Sequence, residues 1–368
     1  MSDHTSIPIR NVSELPTLSS AVTHSPVKTP SYDILVLIPG DKDIDPDLVN
    51  IPRLLQTPLA VAEDRDETVT IASILIAPSD IEPEELANNE NGTGIMASVI
   101  QTAKQKLAIF LDIANDIGED VSVQGFVGVV KALEAGLNEP TTGDQYDAIF
   151  LAQTNTDSLK LWDEPTISSV LDTVHCAVYV ENIGADEDLV FQESSRGTAP
   201  DSEPPFNQPT DILLAVGTGP HSVLGAETAR AVAKASGASV HALHLITSSD
   251  DGPARQKGRK ALSLAEYVLS DLPNVECETR EVETATDELL TEIDNYDLSL
   301  IGTPTKSSLL SRLFAQPTSE KVITQSTTSV ITVRQPAEAM DSVYYRWKRA
   351  VERTTDVDIS PAEKGEEL

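Results

Sequence analysis

Along this chain, short β-rich runs, several of them continuously apolar, alternate with longer stretches in which apolar residues recur every three or four positions. The strand-like runs lie at 33–38, 68–77, 121–129, 147–152 and 176–180, and again at 211–216, 240–246, 275–282, 297–301 and 329–333. Continuous apolarity over five to ten residues is what a parallel strand buried on both faces shows. Between the runs the period changes. Ala261, Leu264, Ala265, Val268, Leu269 and Leu272 follow helical spacing, with Pro253 near the start and Pro273 at the stop. Ala103, Leu107, Phe110, Leu111 and Ala114 do the same and close at Gly118. A third helix is expected from a Ser222 cap to Gly237, with Ala229, Val232 and Ala233 on one face.

The pattern occurs twice. "YDILVLIPG" at 32–40 parallels "TDILLAVGT" at 210–218, and "QYDAIFLAQT" at 145–154 parallels "NYDLSLIGTP" at 295–304, setting Tyr146 and Asp147 opposite Tyr296 and Asp297. Each copy alternates strand and helix, which predicts α/β architecture: two doubly wound, five-stranded parallel-sheet domains in tandem with right-handed crossovers. The expected boundaries are 31–181 and 209–335, separated by a Ser-, Pro- and acid-rich linker at 182–208. Residues 1–30 read as disordered, as does the end from Thr354 onward, and 336–368 reads as a C-terminal helix and tail. Acidic, Pro-bearing insertions are expected around 40–66 and 79–94 of the first copy.

The formal charge of −33 over 368 residues is spread along the whole chain. At molar salt the Debye length falls to about 3 Å, so such a surface is tolerated best in a salt-loving host, and a halophilic archaeon is the expected source. The same acidity disfavours nucleic-acid binding, which needs a basic face. With no apolar run near the roughly 18 residues of a spanning helix and no signal-like N-terminus, a cytoplasmic location is expected. Cys176 and Cys277 fall in strands of different copies and read as two buried thiols, with neither a disulfide nor a metal site expected.

The stretches "DILLAVGTGPHSVLGAETARAVAKASGASVHALHLI" and "LIGTPTKSSLLSRLFAQPTSEKVITQSTTSVITVR" resemble the beginning and end of a domain of the universal stress protein (UspA) family. The first copy resembles the same family more weakly. The resemblance implies a Rossmann-like, adenine nucleotide alpha hydrolase-like fold. It also implies pairing of domains through their last strands, here as an intramolecular pseudo-dimer, with a homodimer as the alternative. In nucleotide-binding members the fourth strand ends in Gly-x-x-Gly, followed after nine residues by Gly-Ser or Gly-Thr, and an acidic residue follows the first strand. Gly302 keeps the first position, but Thr305 replaces the second glycine, and Gln316 and Pro317 stand at the final pair. Proline offers neither an N–H nor a hydroxyl. After the first strand, Gly217, Thr218 and Gly219 replace the acid.

The candidate nucleotide site is therefore Gly217, Thr218, Gly219, Gly302, Thr303, Thr305, Lys306 and Ser307. Its hydroxyls, backbone N–H groups and single cation either hold an anion or simply cap a helix beginning near Ser307. In the first copy Ala152 takes the place of Gly302, and that site reads as dead. His241 and His244, three apart in a strand, point to opposite faces and read as packing residues. His221 reads as a helix-start residue.

Tyr345, Arg346, Trp347, Lys348, Arg349 and Arg353 form a cationic, aromatic cluster near the C-terminus. It either docks on the acidic body or meets an anionic membrane surface or a transporter. The expected function is a non-catalytic regulatory or stress-response protein with at most a weakened nucleotide site. A transporter partner that binds no nucleotide and a slow ATP hydrolase are the alternatives. No catalytic residue, metal or obligatory cofactor is expected; ATP or a related nucleotide at the second copy is the alternative.

Overall fold

The computed structural model describes residues 9–11, 33–41, 51–65, 67–83, 95–134, 136–137, 146–154, 161–162, 164–183, 208–218, 221–302 and 328–334. All ten expected strands are present, with ends within three residues of their expected positions. They are β2 (Ile34–Pro39), β3 (Thr68–Ile76), β4 (Ser122–Val130), β5 (Ala148–Thr154), β6 (Ala177–Ile183), β7 (Asp211–Ala215), β8 (Ser239–Thr247), β9 (Val275–Val282), β10 (Leu298–Gly302) and β11 (Ser329–Arg334). Together with β1 (Ile9–Asn11) they form one 11-stranded sheet in the order β1-β4-β3-β2-β5-β6-β11-β10-β7-β8-β9.

Each half runs third, second, first, fourth, fifth, parallel throughout. The halves meet where β6 and β11 pair antiparallel, Val330 opposite Asn182 and Arg334 opposite Val178. Joining the last strands removes two exposed edges.

The repeated Tyr-Asp pairs have a structural reason. Asp147, just before β5, accepts from the Asp33 N–H at 3.1 Å. Asp297, just before β10, accepts from Thr210 N at 2.8 Å, Thr210 Oγ1 at 2.7 Å and Asp211 N at 3.2 Å. In both halves this carboxylate ties the fourth strand to the start of the first. Partial burial pushes the Asp297 carboxyl up, but these donors hold it below the ordinary range.

Two expectations for the first half are corrected. The span 40–66, expected as an insertion, contains the helix α1 (Ile51–Arg65), buried on nearly every side. Its Pro52 lies in the first turn, where a missing N–H costs nothing, and Pro58 lies inside. The all-round burial hides the amphipathic period, because α1 touches both the sheet and a helix of the other half. The N-terminal segment is not wholly without structure either: Ile9–Asn11 pairs parallel with Val127–Val129 of β4. Of the linker, residues 182–183 complete β6, and Gln208 and Pro209 lead into β7. The rest of 1–30, the remaining linker and 335–368, including Tyr345, Arg346, Trp347, Lys348, Arg349 and Arg353, lie outside the described residues.

Further helices among the described residues are α2 (Ile95–Ile117), α3 (Glu164–Thr173), α4 (His221–Ser236), α5 (Gly252–Val268) and α6 (Ala285–Ile293). α4 starts at His221 rather than at a Ser222 cap and ends at Gly237, whose φ of 75° suits glycine and whose N–H bonds Ala233 O at 2.8 Å. Small residues let it sit low on the sheet: a Cβ on Gly225 would lie 3.2 Å from Leu214 Cδ1.

α1 packs against α4 across the seam. There Arg65 meets Glu227 at 2.6 Å with both side chains buried, and Asp64 meets Arg230 at 2.6 Å and Lys234 at 3.1 Å. Cys176 is buried and Cys277 half-buried; both are free thiols. Among the described residues no helix is long and apolar enough to cross a membrane.

Candidate functional site

The carboxyl ends of β7, β8 and β10 open into a cavity of about 430 Å³, closed from the sides by the first turns of α5 and α6. Ligands in open α/β sheets sit beyond the carboxyl ends of strands, where strand order reverses, and β7 is the strand from which this half is wound in both directions. The floor is aliphatic, from Leu243, Leu245, Leu289 and Ile301; the rim carries His244, Thr247, Asp250, Arg255 and Lys257.

The structure brings three of the sequence-predicted site residues to this cavity: Gly217, Thr218 and Gly302. Gly219, Thr303, Thr305, Lys306 and Ser307 lie outside the described residues, as do Gln316 and Pro317. Gly217 donates its N–H to Ser222 Oγ at 2.8 Å, so this backbone donor is already engaged. Gly302 is required for a reason other than ligand approach. A Cβ there would lie 2.7 Å from the carbonyl carbon of His221 and 2.8 Å from Ser222 N, so the missing side chain lets α4 start directly over β10. His221 at that start is buried, and burial, then the nearby Arg334, holds its pKa below the ordinary value.

His244 and His241 do point to opposite faces. His241 Nδ1 lies 2.5 Å from Tyr296 Oη, and its Nε2 lies 3.2 Å from Glu278. His244 Nδ1 lies 2.7 Å from Val216 O, and its Nε2 would lie 1.9 Å from a Cβ on Gly258. The mid-helix glycine of α5 is therefore the space into which the His244 ring fits.

The charged rim came from residues that sequence reasoning passed over. Asp250 accepts from Thr247 N at 2.6 Å and Thr247 Oγ1 at 3.0 Å, and these bonds hold its carboxyl below the ordinary range. Asp251 caps α5 by accepting from Ala254 N at 2.9 Å. Arg255 reaches back to Asp250 O at 3.1 Å and outward to Glu281 Oε1 at 2.8 Å. The signal available was the "DDGP" that opens α5. Two acids before Gly-Pro mark a capped helix start at the end of a strand, which is where a sheet-edge pocket finds its wall.

At the corresponding carboxyl end of the first half, described side chains pack over the strands. Trp162 is buried and donates its indole N–H to Leu37 O at 3.0 Å, beside buried Leu161. Lys106 lies 3.4 Å from Gly40 O, and Ala152 is buried at the end of β5.

No curated protein matches the chain. Among solved structures it is similar to a universal stress protein from Archaeoglobus fulgidus DSM 4304, at 15% identity and TM-score 0.47, covering 83% of this chain and 97% of that one. The cytoplasmic domain of a prokaryotic cation chloride cotransporter is similar at 10% identity and TM-score 0.44, covering 83% and 96%. A universal stress protein from Archaeoglobus fulgidus in complex with dAMP is similar at 15% identity and TM-score 0.29, covering 41% and 98%. Residues 210–334, the stretch that runs from the start of β7 to the end of β11 and carries the cavity, match the Universal stress protein family.

Proposed function

We propose that the protein is a non-catalytic stress-response or regulatory protein built from two tandem universal stress protein-type domains, paired within one chain, and that its second domain has a weak site for an adenine nucleotide. The observation that carries this reading is the state of the cavity's polar groups. The Gly217 N–H is bonded to Ser222, Asp250 to Thr247, Arg255 to Glu281 and His244 to Val216 O. A ligand entering the aliphatic slot must displace existing bonds to gain donors from these four described groups, which leaves Thr218 and Lys257 among the described lining residues open to it. Phosphoryl transfer needs preorganised donors and a positioned base, and groups already bonded to one another supply neither.

The test is calorimetric titration of the full chain with ATP at molar KCl, for wild type and for Ala285→Trp, which places an indole at the cavity wall. Wild type is expected to bind no tighter than about 1 mM, near −4 kcal/mol, and the variant not at all. Micromolar affinity, or phosphate release at enzymatic rates, would refute the reading. So would binding that the added indole leaves unchanged. Gly302→Val is not a clean probe, because its side chain would strike the start of α4 whether or not a nucleotide binds.

A further inference from the structure

The 11-stranded sheet has two outer edges of opposite character. At one end β9, "VECETREV", carries Glu276, Glu278, Arg280 and Glu281, and charges on an edge strand deter pairing with another chain. At the other end β4, "SVQGFVGVV", has no charged residue and no proline over nine positions. A long uncharged edge of this composition is a template for strand addition. This is the edge on which β1 lies, and among the described residues β1 pairs with Val127–Val129 of it.

A second observation points to the same end of the molecule. The exposed large hydrophobics among the described residues are Ile76 at 43% and Ile109 at 37%. Ile76 ends β3, paired with Val130 of β4, and Ile109 lies on α2, the helix packed on β3 and β4.

We propose that β1 is a guard strand: residues 9–11 occupy the outer edge of β4, and their displacement opens that edge to β4 of a second copy of this chain, paired antiparallel about a two-fold axis. A strand edge is self-complementary under that symmetry, so the contact is isologous and closes at a dimer. It offers up to nine residues of pairing where β1 offers three. The guard holds the edge because it is tethered. Residues 12–32 join it covalently to β2, and a connection of that length keeps its end at an effective concentration near the millimolar range. A second copy in dilute solution competes poorly against that. This proposal is independent of the nucleotide reading, which concerns the other half of the sheet.

The experiment compares the full chain, the chain lacking residues 1–12, and full chain carrying Ile9→Pro and Arg10→Pro, which breaks the guard in either pairing phase without shortening the chain. Mass is read by light scattering after size exclusion in 1 M KCl, up to on the order of 100 µM. The full chain is expected to be a monomer, and both altered chains to double in mass as concentration rises. Adding Ser122→Lys and Gln124→Lys, both at exposed positions of β4, is expected to return them to monomers. At monomeric dilution those amides of Val127–Val129 that point to β1 rather than to β3 should exchange about tenfold faster in the altered chains. Altered chains that stay monomeric at the highest concentration overturn the proposal, as do dimers that survive the two lysines or species larger than a dimer. Equal exchange at the β1-facing amides would show that β1 does not guard that edge.

Discussion

Glu181 lies in β6 at the seam between the halves, opposite Ile331 of β11 and beside Ala152 of β5. Its side chain is buried, and the nearest cation among the described residues is Arg53 Nε at 3.8 Å, too far for a hydrogen bond. Arg53 is itself drawn to Gln56 at 2.7 Å and Ser329 at 3.3 Å. Burial wins over Arg53 and pushes the Glu181 carboxyl from its ordinary 4.5 up to about 7. Between those values the folded protein holds a proton that the unfolded chain has lost, so stability falls as pH rises through the window and is flat above it. At ~1.36 kcal/mol per pH unit the gap amounts to about 3 kcal/mol on completion. Glu181→Gln removes the titration while keeping the shape and leaves Arg53 its bonds to Gln56 and Ser329. Urea unfolding of both proteins from pH 4.5 to 8 should give curves that coincide at the acid end and diverge to about 3 kcal/mol in favour of the variant by pH 8. The difference curve is the readout, because His221, whose pKa burial lowers, pulls the raw curves the opposite way at the acid end. Parallel curves, or a variant that loses ground as pH rises, would show that Arg53 compensates the buried charge and that the reasoning from burial is wrong.

Arg65→Met should destabilise by about 3–5 kcal/mol in chemical denaturation, by removing the cation 2.6 Å from Glu227 in a buried interface; adding Glu227→Leu should recover most of the loss. Gly258→Ala drives a methyl into the His244 ring and should cost about 1–3 kcal/mol, while His244→Ala combined with it should restore stability, the coupling being read from a double-mutant cycle. If the acidic surface is a salt adaptation, the thermal midpoint should climb steeply as KCl rises from about 0.1 M to 3 M, and a flat profile would remove that reading.

Most strands were legible because strands such as β2, β7 and β10 are buried on both faces and read as short, continuous apolar runs bounded by turn residues. The helix α1 was not legible. Pro52 and Pro58 are breaker signals, and a helix buried all round between a sheet and a neighbouring half loses the three-four period that marks an amphipathic one. β1 is three residues, too short for any period. At the candidate site Gly302 was picked out as a glycine of a phosphate-approach loop, and the structure shows a different demand on it: a Cβ there would meet the start of α4. That contact was not visible, because it is made between residues about eighty positions apart. Arg255 and Asp250 carry the rim, but in a chain with 59 acidic residues no single carboxylate stands out from its sequence.

The antiparallel seam between β6 and β11 also changes what substitutions are open to this chain. In a pair of identical subunits every interface change appears twice, once on each side of the axis, so a site cannot be lost from one partner and kept by the other. Here Trp162 packs over the strands of one half while the corresponding end of the other half holds a cavity. The bond from Arg65 to Glu227 joins an α1 residue to an α4 residue in one direction. Covalent linkage makes the partner always present, so corresponding positions of the two halves are free to take different residues without either half losing its partner.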